Sequence, residues 1–370
     1  MTQDTMPRRF HARVLARRRT ARHDVFLSDA DFRFAADCER MRVDRNGSVL
    51  SLLLIRLPAK HSSDSDIGLL ARVLEGRLRV TDTPGLLNDG RIAVLLPDTP
   101  AEGAWKVAAD VSEVYPPGPE RPECDVLVYL PHQRPGGGLE GVGLEASGGA
   151  SSGELLAAPD PPQPSEFFFA KPIATWKRGV DVVGAVLGLV ISAPIIALAA
   201  AAIKLDTPGP AFFVQEREGL GGRRFKMYKL RTMYVDAETL KPSLLPHSVQ
   251  DGPAFKMYRD PRTTPFGRFL RWSSIDELPQ LWNVLRGEMS LVGPRPLPTY
   301  ESQACQPWQR RRLTVTPGIT CTWQVSARGK ARFDDWVRMD LRYAAKISPW
   351  EDLKLLLITL PSLVFHKGIR

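Results

Sequence analysis

Ser274-Ile275-Asp276-Glu277-Leu278-Pro279-Gln280-Leu281-Trp282-Asn283-Val284-Leu285, followed closely by Gly293-Pro294-Arg295-Pro296, is the stretch on which the reading of this chain turns. It sets two adjacent carboxylates at a helix start and then an arginine fixed between two prolines. Ser274 and Glu277 have capping-box spacing, in which each side chain satisfies an orphan backbone N–H of the first turn. Pro279 suits such a first turn. The helix dipole stabilises an acidic group there as an anion, and a nucleophile or a magnesium ligand needs the same. These residues alone leave a helix-start role and a catalytic role equally open.

Four arginines near turns shift that balance. Arg231 closes Lys229-Leu230-Arg231-Thr232-Met233, Arg271 precedes Asp276 by five residues, Arg295 lies in the proline turn, and Arg328 follows Pro317-Gly318-Ile319-Thr320. A guanidinium fork bonds two phosphate oxygens at once. Arginines beside a carboxylate pair point to phosphate chemistry.

Upstream, Val182–Ile203 runs for 22 residues without a charge. As a straight helix it would reach ~33 Å, enough to cross hydrocarbon. Pro194 stands near its middle, where the ring removes a backbone bond. The outcome is a kinked spanning helix or a re-entrant one that leaves by the face it entered. Lys177 and Arg178 precede the segment, and Lys204, Arg217, Arg223, Arg224 and Lys226 follow it. Positive charge on both flanks favours both ends on the cytoplasmic side, hence the re-entrant form. Pro349–His366 reads as a further apolar helix interrupted by Pro361, interfacial or in the core. Six of the eight tryptophans lie after residue 270, which fits a half-sunk domain and a packed core equally well.

Composition sets outer bounds. With 370 residues the chain has room for two domains, and 43% hydrophobic content supports packed cores. The net charge of +9 fits an anionic membrane face or phosphate-bearing substrates. A nucleic-acid partner is not expected, because no recognition helix, zinc pattern or aromatic-basic sheet motif is legible. Cys38, Cys124, Cys305 and Cys321 show neither a disulfide framework nor metal spacing. A homodimer is compatible with the sequence.

The expected fold class is α+β. Residues 1–21 form a basic tail, 22–131 a small α/β domain, 132–166 a flexible linker rich in glycine, serine and proline, and 171–370 a mostly helical, membrane-associated catalytic domain whose re-entrant helix covers 179–203. In the first domain, helical spacing over Asp29–Arg45 leads into a strand at Val49–Leu57 and a helix at Ile67–Gly76. A strand at Arg91–Leu96, a helix at Ala101–Tyr115 and a strand at Asp125–Leu130 follow. With Leu87-Asn88-Asp89-Gly90-Arg91, this order resembles the ferredoxin-like core of GGDEF-type cyclases. Gly90 and Arg91 stand where that family carries acidic metal ligands, so the resemblance implies a degenerate regulatory or scaffolding domain.

Residues 171–370 resemble the bacterial sugar transferases that are monotopic phosphoglycosyl transferases. The resemblance rests on ordered motifs: Lys177-Arg178 with Asp181; Lys204-Leu205-Asp206-Thr207-Pro208-Gly209-Pro210; Gln215-Glu216-Arg217 with Gly219; Phe225 to Met233; Asp260-Pro261-Arg262 with Phe266-Gly267-Arg268; the acid-pair stretch; Val292 to Pro296; and Pro317 to Thr320 with Trp323-Gln324-Val325. It implies transfer of a sugar-1-phosphate from a nucleotide diphosphate sugar, usually a uridine one, to polyprenyl phosphate at the cytoplasmic face of the bacterial inner membrane. This is the initiating step of exopolysaccharide or other glycoconjugate synthesis. It further implies Asp276 as nucleophile and Mg2+ ligand, Glu277 as its catalytic partner, and Arg231, Arg271, Arg295 and Arg328 as phosphate-binding groups. The helix break would lie at Ser192 and Pro194, although the family has serine directly before the proline and this chain has Ala193. Cys321 and Ala327 replace two family glycines. The alternative is a catalytically inactive membrane-anchored signalling or scaffold protein.

Overall fold

The computed structural model describes residues 26–58, 64–114, 121–129, 164–326 and 331–364. The basic tail, nearly all of the linker and Arg328 lie outside these residues. The chain divides into two compact units, Met1–Gly153 and Glu154–Arg370.

The first unit holds a four-stranded sheet: β1 (Leu50–Arg56), β2 (Thr83–Leu86), β3 (Ile92–Pro97) and β4 (Glu123–Tyr129). The strand order is β2-β3-β1-β4 and all neighbours are antiparallel. Helices Asp64–Glu75 and Ala101–Glu113 connect β1 to β2 and β3 to β4, a split β-α-β-β-α-β arrangement. Leu53, Ile55, Val94 and Leu96 pack with Leu70, Leu74, Ala104 and Val111 in one core cluster. On the alternate face, helix Asp29–Asn46 is capped by Ser28 and ended by left-handed Gly47. Its Phe32 lies against Gly85, where a Cβ would come within 2.5 Å of the ring. Strand β2 (Thr83-Pro84-Gly85-Leu86) was not legible, because Pro84-Gly85 reads as a turn. It is tolerated at the sheet edge, where a missing N–H breaks no ladder.

The second unit is organised around one helix, Thr175–Asp206, of 32 residues. It continues through Pro194 rather than ending there. Ser192 is buried and its Oγ has no hydrogen-bond partner among the described residues, so it does not cover the carbonyl that the proline leaves free. One face of the helix packs inward through Ala185, Ala199 and Ile203. Gly188 lets Leu281 approach so closely that a Cβ would lie 2.9 Å from its Cδ1. The other face, with Val183, Leu187, Val190, Ile191 and Leu198, is exposed. This helix is long and apolar enough to cross a membrane.

The flanking cations do more than mark sidedness. Lys177 is 3% exposed, donates to Val292 O at 2.9 Å and pairs with Asp352 of helix Pro349–Val364. Arg178 caps helix Gln280–Arg286 by donating to the carbonyls of Val284 (2.6 Å) and Leu285 (2.7 Å). Asp181 accepts from Ser290 Oγ and Leu291 N, both at 2.9 Å. The start of the apolar helix is thereby stitched to the strand that leads into the Arg295 turn.

An antiparallel hairpin of β5 (Phe212–Glu218) and β6 (Arg224–Leu230) and a parallel pair of β7 (Ser290–Val292) and β8 (Gly318–Thr320) complete the scaffold. Helix Pro164–Phe168 takes the last residues expected for the linker into this unit, where Glu166 pairs with Arg310. The C-terminal helix runs through Pro361 instead of being interrupted by it. The tryptophans divide: Trp272, Trp282 and Trp350 are exposed, while Trp323 and Trp336 stack in a core, their centroids 4.1 Å apart.

Candidate active site

The acid pair does not sit in a capping box. Helix Pro265–Ser273 ends at Ser274, which has φ 57° and makes no side-chain cap. A serine in the left-handed region is strained, and such strain gathers where a turn must aim a side chain. A single 3-10 turn, Ile275–Glu277, follows, and helix Gln280–Arg286 begins only after Pro279. Glu277 is thus released from the backbone and directed at cations.

Those cations come from separate elements. Lys229, at the end of β6, donates to Glu277 Oε1 at 3.2 Å. Arg295 grips the same carboxylate with both terminal nitrogens, Nη2 on Oε1 and Nη1 on Oε2 at 3.3 Å. Burial opposes the Glu277 charge, but Arg295 and Lys229 hold the carboxyl far below the usual range. Burial also brings the Lys229 ammonium down to about 8, against the pull of Glu277.

Asp276 differs from its neighbour. It is 7% exposed, yet its carboxylate accepts no hydrogen bond among the described residues. Burial, and then the Glu277 charge, raise its pKa to about 6, against Lys229, Arg271 and Arg295. One carboxylate is therefore clamped while the other is open.

Arg295 is fixed through its own backbone. Arg312 Nη2 donates to the Arg295 carbonyl at 2.6 Å and pairs with buried Asp340 at 2.6 Å. Arg217 Nη1 donates to Pro296 O at 2.8 Å. Arg271 is anchored by its Nε on Thr232 Oγ1 at 2.9 Å. Its helix docks closely because residue 267 is glycine: a Cβ there would lie 2.0 Å from Thr232 O.

Of the residues singled out from sequence, the structure brings Asp276, Glu277, Arg271 and Arg295 together. Arg231 has another task. Its Nη1 donates to Pro208 O at 2.5 Å and its Nη2 to Thr207 O at 2.8 Å, so it secures the exit from the apolar helix. Lys229, two positions earlier and on the same strand face, occupies the acid pair instead. Sequence reasoning quoted Lys229 without assigning it a role, although the period of a strand puts residues 229 and 231 side by side. It also missed Asn283, which is fully buried. Its Nδ2 donates to Lys226 O at 2.7 Å and its Oδ1 accepts from Tyr228 N at 3.1 Å, pinning the acid-pair helix to β6. A lone polar residue inside Leu281-Trp282-Asn283-Val284-Leu285 was the available signal.

Lys229, Arg217, Arg271 and Arg295 all act electrostatically on the acid pair or on one another. Lys229, Arg271 and Arg295 act directly on Asp276, three cations beside the two carboxylates of the pair, a local excess of positive charge suited to an anionic phosphate group. Among the described residues no three His, Cys, Asp or Glu side chains gather as a metal site. Magnesium does not require such a cage, since one or two carboxylates with substrate phosphates hold it. The open Asp276 carboxylate fits that role.

Residues 173–366, just over half of the chain, match the bacterial sugar transferase family, and the chain belongs to it. It is 44% identical over 195 residues to the galactosyl transferase CpsE of Streptococcus agalactiae, covering 52% of this chain and 43% of that protein. It is 46% identical over 198 residues to the UDP-glucose:undecaprenyl-phosphate glucose-1-phosphate transferase of Caulobacter vibrioides, covering 51% of this chain and 69% of that one. The chain thus spans less than half of the first relative and about two thirds of the second. A sensory box/GGDEF family structure from Caulobacter crescentus matches at 18% identity and a TM-score of 0.24, covering 28% of this chain and 78% of that one.

Proposed function

We propose that this protein transfers a sugar-1-phosphate from a uridine diphosphate sugar to polyprenyl phosphate, the initiating step of glycoconjugate synthesis, at the cytoplasmic face of the bacterial inner membrane. The observation that carries this reading is the division of labour in the acid pair: Glu277 is saturated by Arg295 and Lys229, whereas Asp276 stands open among cations.

In the first half-reaction an Asp276 Oδ attacks the β-phosphorus of the donor. The Oδ–P bond forms, the P–O bond to the nucleoside monophosphate breaks, and the bonding electrons leave on its phosphate oxygen. In the second, an oxygen of polyprenyl phosphate attacks the same phosphorus, and the aspartate leaves as a carboxylate. A carboxylate approaching an anionic diphosphate meets like charge. Arg271 and Arg295 offset this repulsion in the transition state, each such contact being worth about 3 kcal/mol. Glu277 keeps Arg295 in place and holds Lys229 charged. Asp276 would hold Mg2+ jointly with the diphosphate, where the ion's chemistry is charge neutralisation on the phosphoryl oxygens.

The membrane helix serves the acceptor, which cannot leave the bilayer. Ile275, beside the nucleophile, packs in the same cluster as Ala199 and Ile203 of the apolar helix. Phe269, Trp272 and Trp282 flank the acid turn with exposed rings, as suits a headgroup interface. A re-entrant path, with both helix ends in the cytoplasm, keeps the site and its soluble donor on one side. The purified protein, a panel of uridine diphosphate sugars, a short polyprenyl phosphate and Mg2+ should yield one diphosphate-linked lipid sugar. Failure with every donor would defeat the assignment.

A further inference from the structure

Arg217 carries a charge that the chain leaves unanswered. Arg295, Arg310 and Arg312 each pair with carboxylates: Glu277, then Glu166 and Glu218, then Asp340. Arg178 and Arg231 lie on carbonyls at the C-terminal ends of helices, where the dipole is negative. Arg217 has neither. Its Nη1 donates to Pro296 O at 2.8 Å and its Nη2 to the Gln215 side-chain oxygen at 2.6 Å, both neutral groups. Its Nε has no hydrogen-bond partner, and no carboxylate of the described residues lies within ion-pair distance. A guanidinium drawn out of water is costly without an anion. Burial first, and Arg295 next, bring the Arg217 pKa down to about 10, against Glu301, Tyr300 and Glu277.

The hairpin places this charge beside the acid pair. Arg217 bridges Pro298, and Glu218 N donates to Leu297 O at 3.2 Å, so β5 lies along the segment that Arg295 begins. Arg217 opposes Phe225 and Lys229 opposes Phe213, which puts Arg217 and Lys229 on one face. Lys229 meets Glu277, and Arg217 stands by Arg295; both guanidiniums are half-buried and reach solvent. The chief cations acting on Asp276 are Lys229, Arg271 and Arg295. Arg217 is not one of them and stands further from the attacking oxygen than Arg295 does. In the two-step reaction, the departing and the entering phosphate both lie opposite Asp276, in line across the transferred phosphorus. A guanidinium set back from Asp276 and short of an anion suits that untransferred phosphate.

We propose that Arg217 is a further substrate-binding residue: its guanidinium holds the phosphate that is not transferred, that of the nucleoside monophosphate as it leaves and that of polyprenyl phosphate as it enters. The inference rests on the two-step reading of the reaction. One phosphate monoester site then serves both half-reactions.

The test compares wild type with Arg217→Gln, whose amide can still donate to Pro296 O but carries no charge. Affinities for uridine monophosphate and for uridine are read from the rise in melting temperature with ligand, and the KM is measured for a short polyprenyl phosphate. Wild type should bind the monophosphate more tightly than uridine. In Arg217→Gln the affinity for the monophosphate should fall about ten- to a hundredfold, the range for a hydrogen bond to a charged group, with uridine unchanged. The KM for polyprenyl phosphate should rise by a similar factor. Without ligand, the variant should melt at or above the wild-type temperature, because the charge it lacks had no partner. If Arg217→Gln does not fold, Arg217→Lys is read in its place. It keeps the charge but not the fork, and its preference for the monophosphate should fall about fivefold. A residue that only props the Arg295 turn would lower kcat and leave the preference for monophosphate over uridine intact. That result, or a KM for polyprenyl phosphate within twofold of wild type, overturns the proposal alone. Wild type that binds neither uridine monophosphate nor uridine would defeat the nucleotide-sugar reading itself.

Discussion

Glu277 and Arg295 form a two-pronged ion pair, and Asp276, the next residue back, takes no part in it. Arg295 is itself immobilised by Arg312 at its carbonyl and by Arg217 at the carbonyl that follows. Of two chemically similar neighbours, one therefore orders the site and the other remains available to react.

The pH dependence follows from that asymmetry. In the proposed reaction Asp276 must be ionised to attack, and burial together with the Glu277 charge raises its pKa to about 6. The first half-reaction, measured as exchange of nucleoside monophosphate into nucleotide sugar, should decline about tenfold per unit as pH falls below 6. Lys229 lowers the Asp276 pKa, so Lys229→Met should move this acid limb to higher pH. An unmoved limb would mean that a different group controls it.

Glu277→Gln should cost stability as well as rate. The charges of Arg295 and Lys229, both largely buried, would lose their carboxylate, at about 3 kcal/mol. Urea unfolding at pH 7.5 would register the change. A variant as stable as wild type would show that the pair is not what holds Arg295.

Asp340→Leu leaves the Arg312 guanidinium buried without its anion. Destabilisation of about 3–5 kcal/mol is expected, together with lost activity, because Arg312 also fixes the Arg295 carbonyl. Arg312→Met in the Asp340→Leu background should recover stability while activity stays low. Recovery of both would show that Arg312 does not position Arg295.

Much of this was legible in the chain. The strands and helices of the first unit could be placed to within a few residues because their apolar periods are strong. Edge strand β2 was lost to its proline and glycine. In the second unit the meeting of the acid pair with Arg295 could be anticipated, since adjacent carboxylates and a proline-fixed guanidinium leave local marks. The partners of Glu277 could not, because they depend on how β6 lies beside the acid turn, a long-range fact with no local pattern. The capping box failed for the same reason: Ser274 has the right spacing, but the preceding helix runs up to it and forces a left-handed turn. Lys177 and Arg178 read as sidedness marks, yet tertiary packing uses them as braces.

The re-entrant path can be checked in cells. Pro172→Cys and Asp206→Cys flank the apolar helix, and both should resist a membrane-impermeant thiol reagent added from the periplasmic side. Labelling of either would establish a crossing helix.

The central claim is that the Asp276 carboxylate takes up the sugar phosphate. Exchange of labelled uridine monophosphate into uridine diphosphate sugar, without any lipid acceptor, tests it most directly. Wild-type protein should catalyse the exchange and Asp276→Asn should show none. Exchange by Asp276→Asn at near wild-type rate would contradict the account.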